Sequence, residues 1–174
     1  MGCNASNTAG QQAAQPSESK GHGLDKSQFI HHSNKKITEI YEVEKKKLGE
    51  GSYGSVTKGK HRKTKEVRAV KTIAKSQMKN IDRFMQEIAI LKMMDHPNII
   101  KLYETFEDHK NIYLIMELCV GGELFDRIIE SGHFTEVQAA IVMQHIFRAI
   151  YYMHENHICH RDLKPENFLF TTKD

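Results

Sequence analysis

The sequence predicts an α+β fold, with strands gathered in its earlier part and a long helix after them. Three observations lead there. Short β-prone runs punctuated by glycine begin at Ile37, an amphipathic stripe interrupts them at residues 81–91, and a capped apolar segment of helical length begins at Glu136.

Taken in order, residues 1–36 stand apart. They are rich in Gln, Ala, Ser, Asn and Gly, and Leu24, Phe29 and Ile30 are nearly their only large apolar groups. Such a segment buries too little surface to offset its ordering entropy and is expected to be disordered. From Ile37 the texture changes. Tyr41, Glu42, Val43 and Glu44 alternate apolar and polar as a half-buried strand does. Glycines punctuate residues 49–54, residues 55–59 resume extended structure, and 66–73 read as a third strand. Ile81, Phe84, Ile88 and Leu91 recur at spacings of three and four, one face of a helix. His96-Pro97-Asn98 closes that helix, since the residue before proline avoids helical backbone. Residues 111–118 form an apolar run expected to be an interior strand. Thr135 and Gln138 make a capping box that opens a helix over 136–155. Its apolar residues, Val137, Ile141, Phe147 and Tyr151 among them, cover more than one face, so it expects neighbours on several sides.

Composition narrows the function. With 27% charged and 39% hydrophobic residues, most of the chain suits an ordinary globular domain. A formal charge of +3 is too small to argue for a nucleic-acid partner, and Lys45-Lys46-Lys47 reads as a solvated strand edge. Cys3, Cys119 and Cys159 share no metal-ligand spacing, which suits a reducing compartment. No run of 18 apolar residues occurs, so no membrane-spanning helix is expected.

Three motifs carry chemistry. In Gly49-Glu50-Gly51-Ser52-Tyr53-Gly54-Ser55-Val56 the glycines let backbone N–H groups approach a polyphosphate closely. Dinucleotide folds and plain hairpins share such a pattern, but the former opens a helix, whereas strands flank this one on both sides. Next, Ala69-Val70-Lys71 places an ammonium among apolar neighbours, and Glu87 lies at the margin of the helical stripe. An ammonium paired with that carboxylate holds phosphate oxygens well. Finally, His160-Arg161-Asp162-Leu163-Lys164-Pro165-Glu166-Asn167 follows the long helix. Asp162 is suited to orient an attacking hydroxyl, Lys164 to neutralise a transferring phosphoryl group, and Asn167 to offer Mg²⁺ a neutral oxygen.

In this order the motifs resemble the eukaryotic protein kinase family over residues 41–174. Lys164 resembles the serine/threonine branch. The stretch from Met116 to Asn167, with the chain's opening residues, is similar to the calcium-dependent protein kinases of plants and protists. The resemblance implies a kinase-like fold, with an N-lobe and its αC helix over 37–118, then a hinge and the beginning of the C-lobe over 119–174. It implies that Gly49, Gly51, Gly54 and Val56 cover ATP, with Leu48, Val56 and Ala69 against the adenine. Glu50, Ser52, Tyr53 and Ser55 complete the loop. Lys71 would bind phosphates and pair with Glu87, Met116 would be the gatekeeper, and Glu117 and Cys119 would offer hinge backbone groups. Glu123 would meet the ribose and, with Glu166, attract an arginine of a protein substrate.

The family's Asp-Phe-Gly magnesium site and activation segment are not among these 174 residues, nor is any EF-hand loop. The expectation is therefore a truncated kinase domain, inactive by itself, with Ca²⁺ acting only through regions absent from this chain. A membrane-anchored ATP-binding or regulatory fragment without catalysis is the alternative. Met1-Gly2-Cys3-Asn4-Ala5-Ser6 fits N-myristoylation at Gly2, with Cys3 placed to take palmitate. That predicts a chain at the cytoplasmic face of a membrane and in the cytoplasm.

Overall fold

The computed structural model describes residues 32–33, 35–51, 54–78 and 80–173. Six strands form one sheet: β1 (His32–Ser33), β2 (Tyr41–Gly51), β3 (Gly54–His61), β4 (Val67–Ala74), β5 (Leu102–Glu107) and β6 (Asn111–Met116), in the order β1-β5-β6-β4-β3-β2. The helices are α1 (Ile37–Ile40), α2 (Ile81–Met93), α3 (Leu124–Ser131) and α4 (Glu136–Glu155). The pairs β2–β3, β3–β4, β4–β6 and β5–β6 are antiparallel, whereas β1 runs parallel to β5.

The sheet's two faces build two cores. One holds Ile37, Tyr41, Val70, Phe106 and Ile115; the other holds Ile73, Ile88, Leu102, Ile112 and Leu114, with Phe84, Leu91 and Met116 packed on it. Strand parity explains the division, since Val70 and Ile115 are register partners and Lys71 and Leu114 are the next pair, facing the other way. Leu102 and Phe106 have the same parity yet belong to opposite cores. An irregularity between Leu102 and Glu104 reverses the alternation and lets β5 serve both faces.

Helix α2 docks on the second face through buried Ile88, and its Asn80 side chain caps it by accepting from Arg83 N–H at 2.9 Å. The capping box of α4 is present in both directions, Gln138 N–H donating to Thr135 Oγ1 at 3.2 Å and Thr135 N–H to Gln138 Oε1 at 2.9 Å. Tyr152 fastens α4 to the segment after α2. Its hydroxyl accepts from Asp95 N–H at 3.1 Å, and its ring stacks on His96 at 5.1 Å.

The structure departs from the sequence expectations in four elements. Ile37–Ile40, where strand-like runs are expected to begin, forms helix α1 instead. His32–Ser33 lies in the stretch expected to be disordered, yet it pairs with Thr105 and Phe106, where β5 leaves an edge to be paired. Strand β5 escaped detection because its irregularity breaks the period-2 pattern. Helix α3 also escaped detection, because Gly121 and Gly122 just before it conceal its start.

Candidate functional site

Register brings the glycine loop and Lys71 together. Val56 pairs with Gly49 on one side and Lys71 on the other, and Lys71 pairs with Leu114, so Gly49, Val56, Lys71 and Leu114 form one row across four strands. One step along, Ala69 pairs with Met116. Partners across a ladder share a face. Val56, Ala69, Lys71 and Met116 therefore all lie on the face that α2 covers, with Ala69 buried and Lys71 half-buried.

The glycines of the loop answer to different constraints. Gly54 has φ +148°, and a Cβ there would collide with the carbonyl oxygen of Thr72. A Cβ on Gly49 or Gly51 would meet nothing within 4 Å. Nothing in the described fold requires glycine at those two positions, and the room they leave fits close approach by a ligand's phosphates. Leu48 is exposed, Glu50 pairs with Lys47 at 2.8 Å, and Ser55 faces Thr72 across the ladder. Ser52 and Tyr53 lie outside the described residues, as do Gly2 and Cys3.

The Lys71–Glu87 ion pair implied by the resemblance is not formed in this structure. Glu87 instead faces Arg83, one turn earlier on α2, at 3.7 Å, and its side chain is 59% exposed. The reason is local: α2 docks through Phe84, Ile88 and Leu91, and Glu87 at the edge of that stripe finds an i−4 cation nearer than one on the sheet. Lys71 makes no ion pair among the described residues.

Just after β6, Glu117 N–H donates to Lys101 O at 2.9 Å and its carboxylate accepts from Lys101 N–H at 3.4 Å. Among the described residues neither Glu117 C=O nor Cys119 N–H has a backbone partner, which suits groups that would meet a purine edge. Burial pushes the Cys119 thiol pKa up, as does the negative charge of Glu117.

The loop after α4 is organised around Asp162. Lys164 Nζ lies 3.1 Å from Asp162 Oδ2, and Asn167 Nδ2 donates to Asp162 Oδ2 at 3.0 Å and to its backbone oxygen at 2.7 Å. The hydrogen bond from Lys164, then that from Asn167, holds the Asp162 carboxyl below the usual carboxylate range. With Nδ2 committed to Asp162, Asn167 has Oδ1 left to offer a cation. An oxygen donor of that kind suits Mg²⁺; among the described residues no group of three or more His, Cys, Asp or Glu side chains could hold a metal ion by itself. Glu123 precedes α3 and bridges Leu169 across an antiparallel contact, while Glu166 is exposed in the turn Pro165–Asn167.

Sequence reasoning overlooked Arg127. Its guanidinium donates to Gly121 O at 3.2 Å, Thr172 O at 3.2 Å and Lys173 O at 2.6 Å, and lies 4.8 Å from the Phe170 ring centroid. Backbone bonds from Gly121 N–H to Phe170 O and from Leu124 N–H to Phe168 O join the same segments. The segment between β6 and α3 is thereby bound to the stretch that follows Asn167. Neither the helix that carries Arg127 nor a contact 45 residues away leaves a signal in the local sequence pattern.

Residues 41–174 match the protein kinase domain. The chain is 50% identical over 151 residues to calcium-dependent protein kinase 5 of Plasmodium falciparum, an overlap of 84% of this chain and 27% of that protein. It is 53% identical over 137 residues to calcium-dependent protein kinase 3 of Plasmodium yoelii yoelii, covering 79% of this chain and 26% of the relative. Myosin light chain kinase A of Dictyostelium discoideum is 44% identical over 140 residues, 79% of this chain and 47% of the relative. The chain thus spans about a quarter of the length of these calcium-dependent relatives.

Proposed function

The chain belongs to the protein kinase domain family, and on that premise we propose that the protein transfers the γ-phosphate of Mg·ATP to serine and threonine hydroxyls of protein substrates under calcium control. The observation that carries this reading is the row Gly49–Val56–Lys71 on the face of Ala69 and Met116, together with the Asp162–Lys164–Asn167 cluster. Mg·ATP, when bound, supplies the transferable phosphoryl group. Gly49 and Gly51 admit its phosphates against backbone N–H groups, and the Lys71 ammonium holds their oxygens. Asp162, ionised across the neutral range, accepts a hydrogen bond from the substrate hydroxyl and aligns it, and Lys164 offsets negative charge developing beside it. Glu87, paired with Arg83 here, reaches Lys71 only if α2 rotates or shifts inward, so helix position is a natural control point.

Calcium control is carried over from the names of the relatives, and it acts through sequence outside these residues. Glu123 and Glu166 favour substrates with basic residues near the acceptor hydroxyl. Myristate on Gly2 and palmitate on Cys3 place the chain at the cytoplasmic face of a membrane, since one acyl chain alone binds with an association constant of only about 10⁴ M⁻¹.

The test uses the full-length protein. Mg·ATP is expected to raise its melting temperature, and Asp162→Asn to lower phosphorylation of a basic peptide at least a hundredfold, by roughly the factor general base catalysis supplies, while keeping the nucleotide-dependent stabilisation. Unchanged transfer by Asp162→Asn overturns the assignment.

A further inference from the structure

The β3–β4 turn carries a charge feature that the kinase reading leaves unused. Lys58-Gly59-Lys60-His61-Arg62-Lys63-Thr64-Lys65 holds five cations and a histidine and no acid. Among the described residues none of those five cations forms an ion pair, although Lys47, Arg68, Lys75, Arg83, Lys101 and Lys164 all do. The nearest acid in sequence, Glu66, is held by Arg68 at 2.7 Å, and that guanidinium also covers the Tyr103 ring at 3.6 Å. Glu42 faces Lys60 across the β2–β3 ladder and Glu39 lines the hollow beside the tip, but among the described residues neither forms an ion pair with the block, which keeps a net positive charge.

The tip that presents it is rigid. His61 N–H donates to Glu66 O at 2.8 Å, Lys65 N–H to His61 O at 2.9 Å, and Thr64 N–H to His61 Nδ1 at 3.0 Å. Arg62 is bonded back to the start of the domain, its N–H to Ile40 O at 2.8 Å and its Nε–H to Thr38 O at 3.0 Å. Residues 62–65 are all exposed. Beside them lies a hollow lined by Lys35, Glu39, Ile40, His61, Arg62 and Lys63.

We propose that this tip, Lys60, Arg62, Lys63 and Lys65 with Lys35 at the adjoining hollow, is a docking face for anionic lipid headgroups. Cations spread along a hairpin tip match a plane of phosphates, and a cluster of four to eight Lys and Arg is the size that such a surface attracts. The inference goes beyond the acylation reading above without depending on it.

The test is sedimentation of the full-length protein, prepared without acyl groups, with vesicles of phosphatidylserine and a phosphoinositide or of phosphatidylcholine alone. Binding to the anionic vesicles only is expected, lost as salt shortens the Debye length. Lys63→Glu/Lys65→Glu should lower the partition coefficient about tenfold or more. Lys45→Glu/Lys46→Glu, the same charge change on β2, should lower it by less than about threefold, as those residues stand outside the face. Melting curves of both variants should match wild type. Equal loss in the two variants, equal binding to neutral vesicles, no binding at all, or tighter binding to an oligonucleotide of equal phosphate concentration would each overturn the proposal. Acylation is read separately, by whether Gly2→Ala releases the protein from membranes in cells.

Discussion

Gly51 and Gly54 belong to one motif but serve different ends. At Gly54, φ +148° and the Thr72 carbonyl leave no room for Cβ, so Gly54→Ala should destabilise the domain by about 1–3 kcal/mol in a urea melt. Gly51 has open space where a Cβ would go. Gly51→Ala should therefore keep stability within about 0.5 kcal/mol of wild type. Nucleotide affinity should nonetheless fall about tenfold, a change of roughly 1.4 kcal/mol, readable by calorimetric titration. Equal behaviour of the two variants would remove the argument that Gly51 is shaped by a ligand. The glycine pattern was plain in sequence, but which glycine serves the fold was not, because the collision involves a residue on another strand. Glu87 shows the same limit. Its place on the helix margin was legible, whereas its pairing with Arg83 depends on how α2 sits against the sheet.

Among the elements, the β5–β6 turn offers a pH test. Asp108 accepts from the backbone N–H groups of Lys110 and Asn111, both at 2.7 Å, and from the Tyr113 hydroxyl at 2.8 Å. The Lys110 N–H bond is the main cause of its lowered pKa. A carboxyl lowered in the folded state stabilises above its unfolded pKa, and that contribution disappears as pH falls through the folded value. Asp108→Asn should cost about 1 kcal/mol at neutral pH, less than hydrogen bonds to a buried charge because the turn is exposed to solvent. The gap from wild type should close in acid, below the ordinary carboxylate range, as followed by urea melts across that span. Helix α4 illustrates a boundary readable from sequence alone. Thr135 and Gln138 are three residues apart, and the capping box forms within that local span.

At the scale of the molecule, α4 leaves a broad apolar surface open. Val137, Ile141, Phe147 and Tyr151 are exposed, at 70%, 54%, 59% and 67%, while Ala149 alone is buried on that helix. Large exposed patches of this kind drive association. The 174-residue chain should self-associate in light scattering, and Ile141→Gln/Phe147→Gln should reduce that without lowering the melting temperature, since neither side chain belongs to the two cores. A melting temperature that dropped with the substitutions would place the face inside the fold.

The sequence by itself determined what depends on near neighbours: strand alternation, the α2 stripe, the cap of α4, and the Asp162–Lys164–Asn167 cluster formed within six residues. Tertiary structure alone decided what joins distant segments. Pairing register places Gly49, Val56 and Lys71 in one row, the β5 irregularity divides Leu102 from Phe106, and Arg127 grips backbone 45 and 46 residues ahead. Periodicity reports which way a side chain faces along its own element. Which element lies opposite follows from packing that many residues decide together.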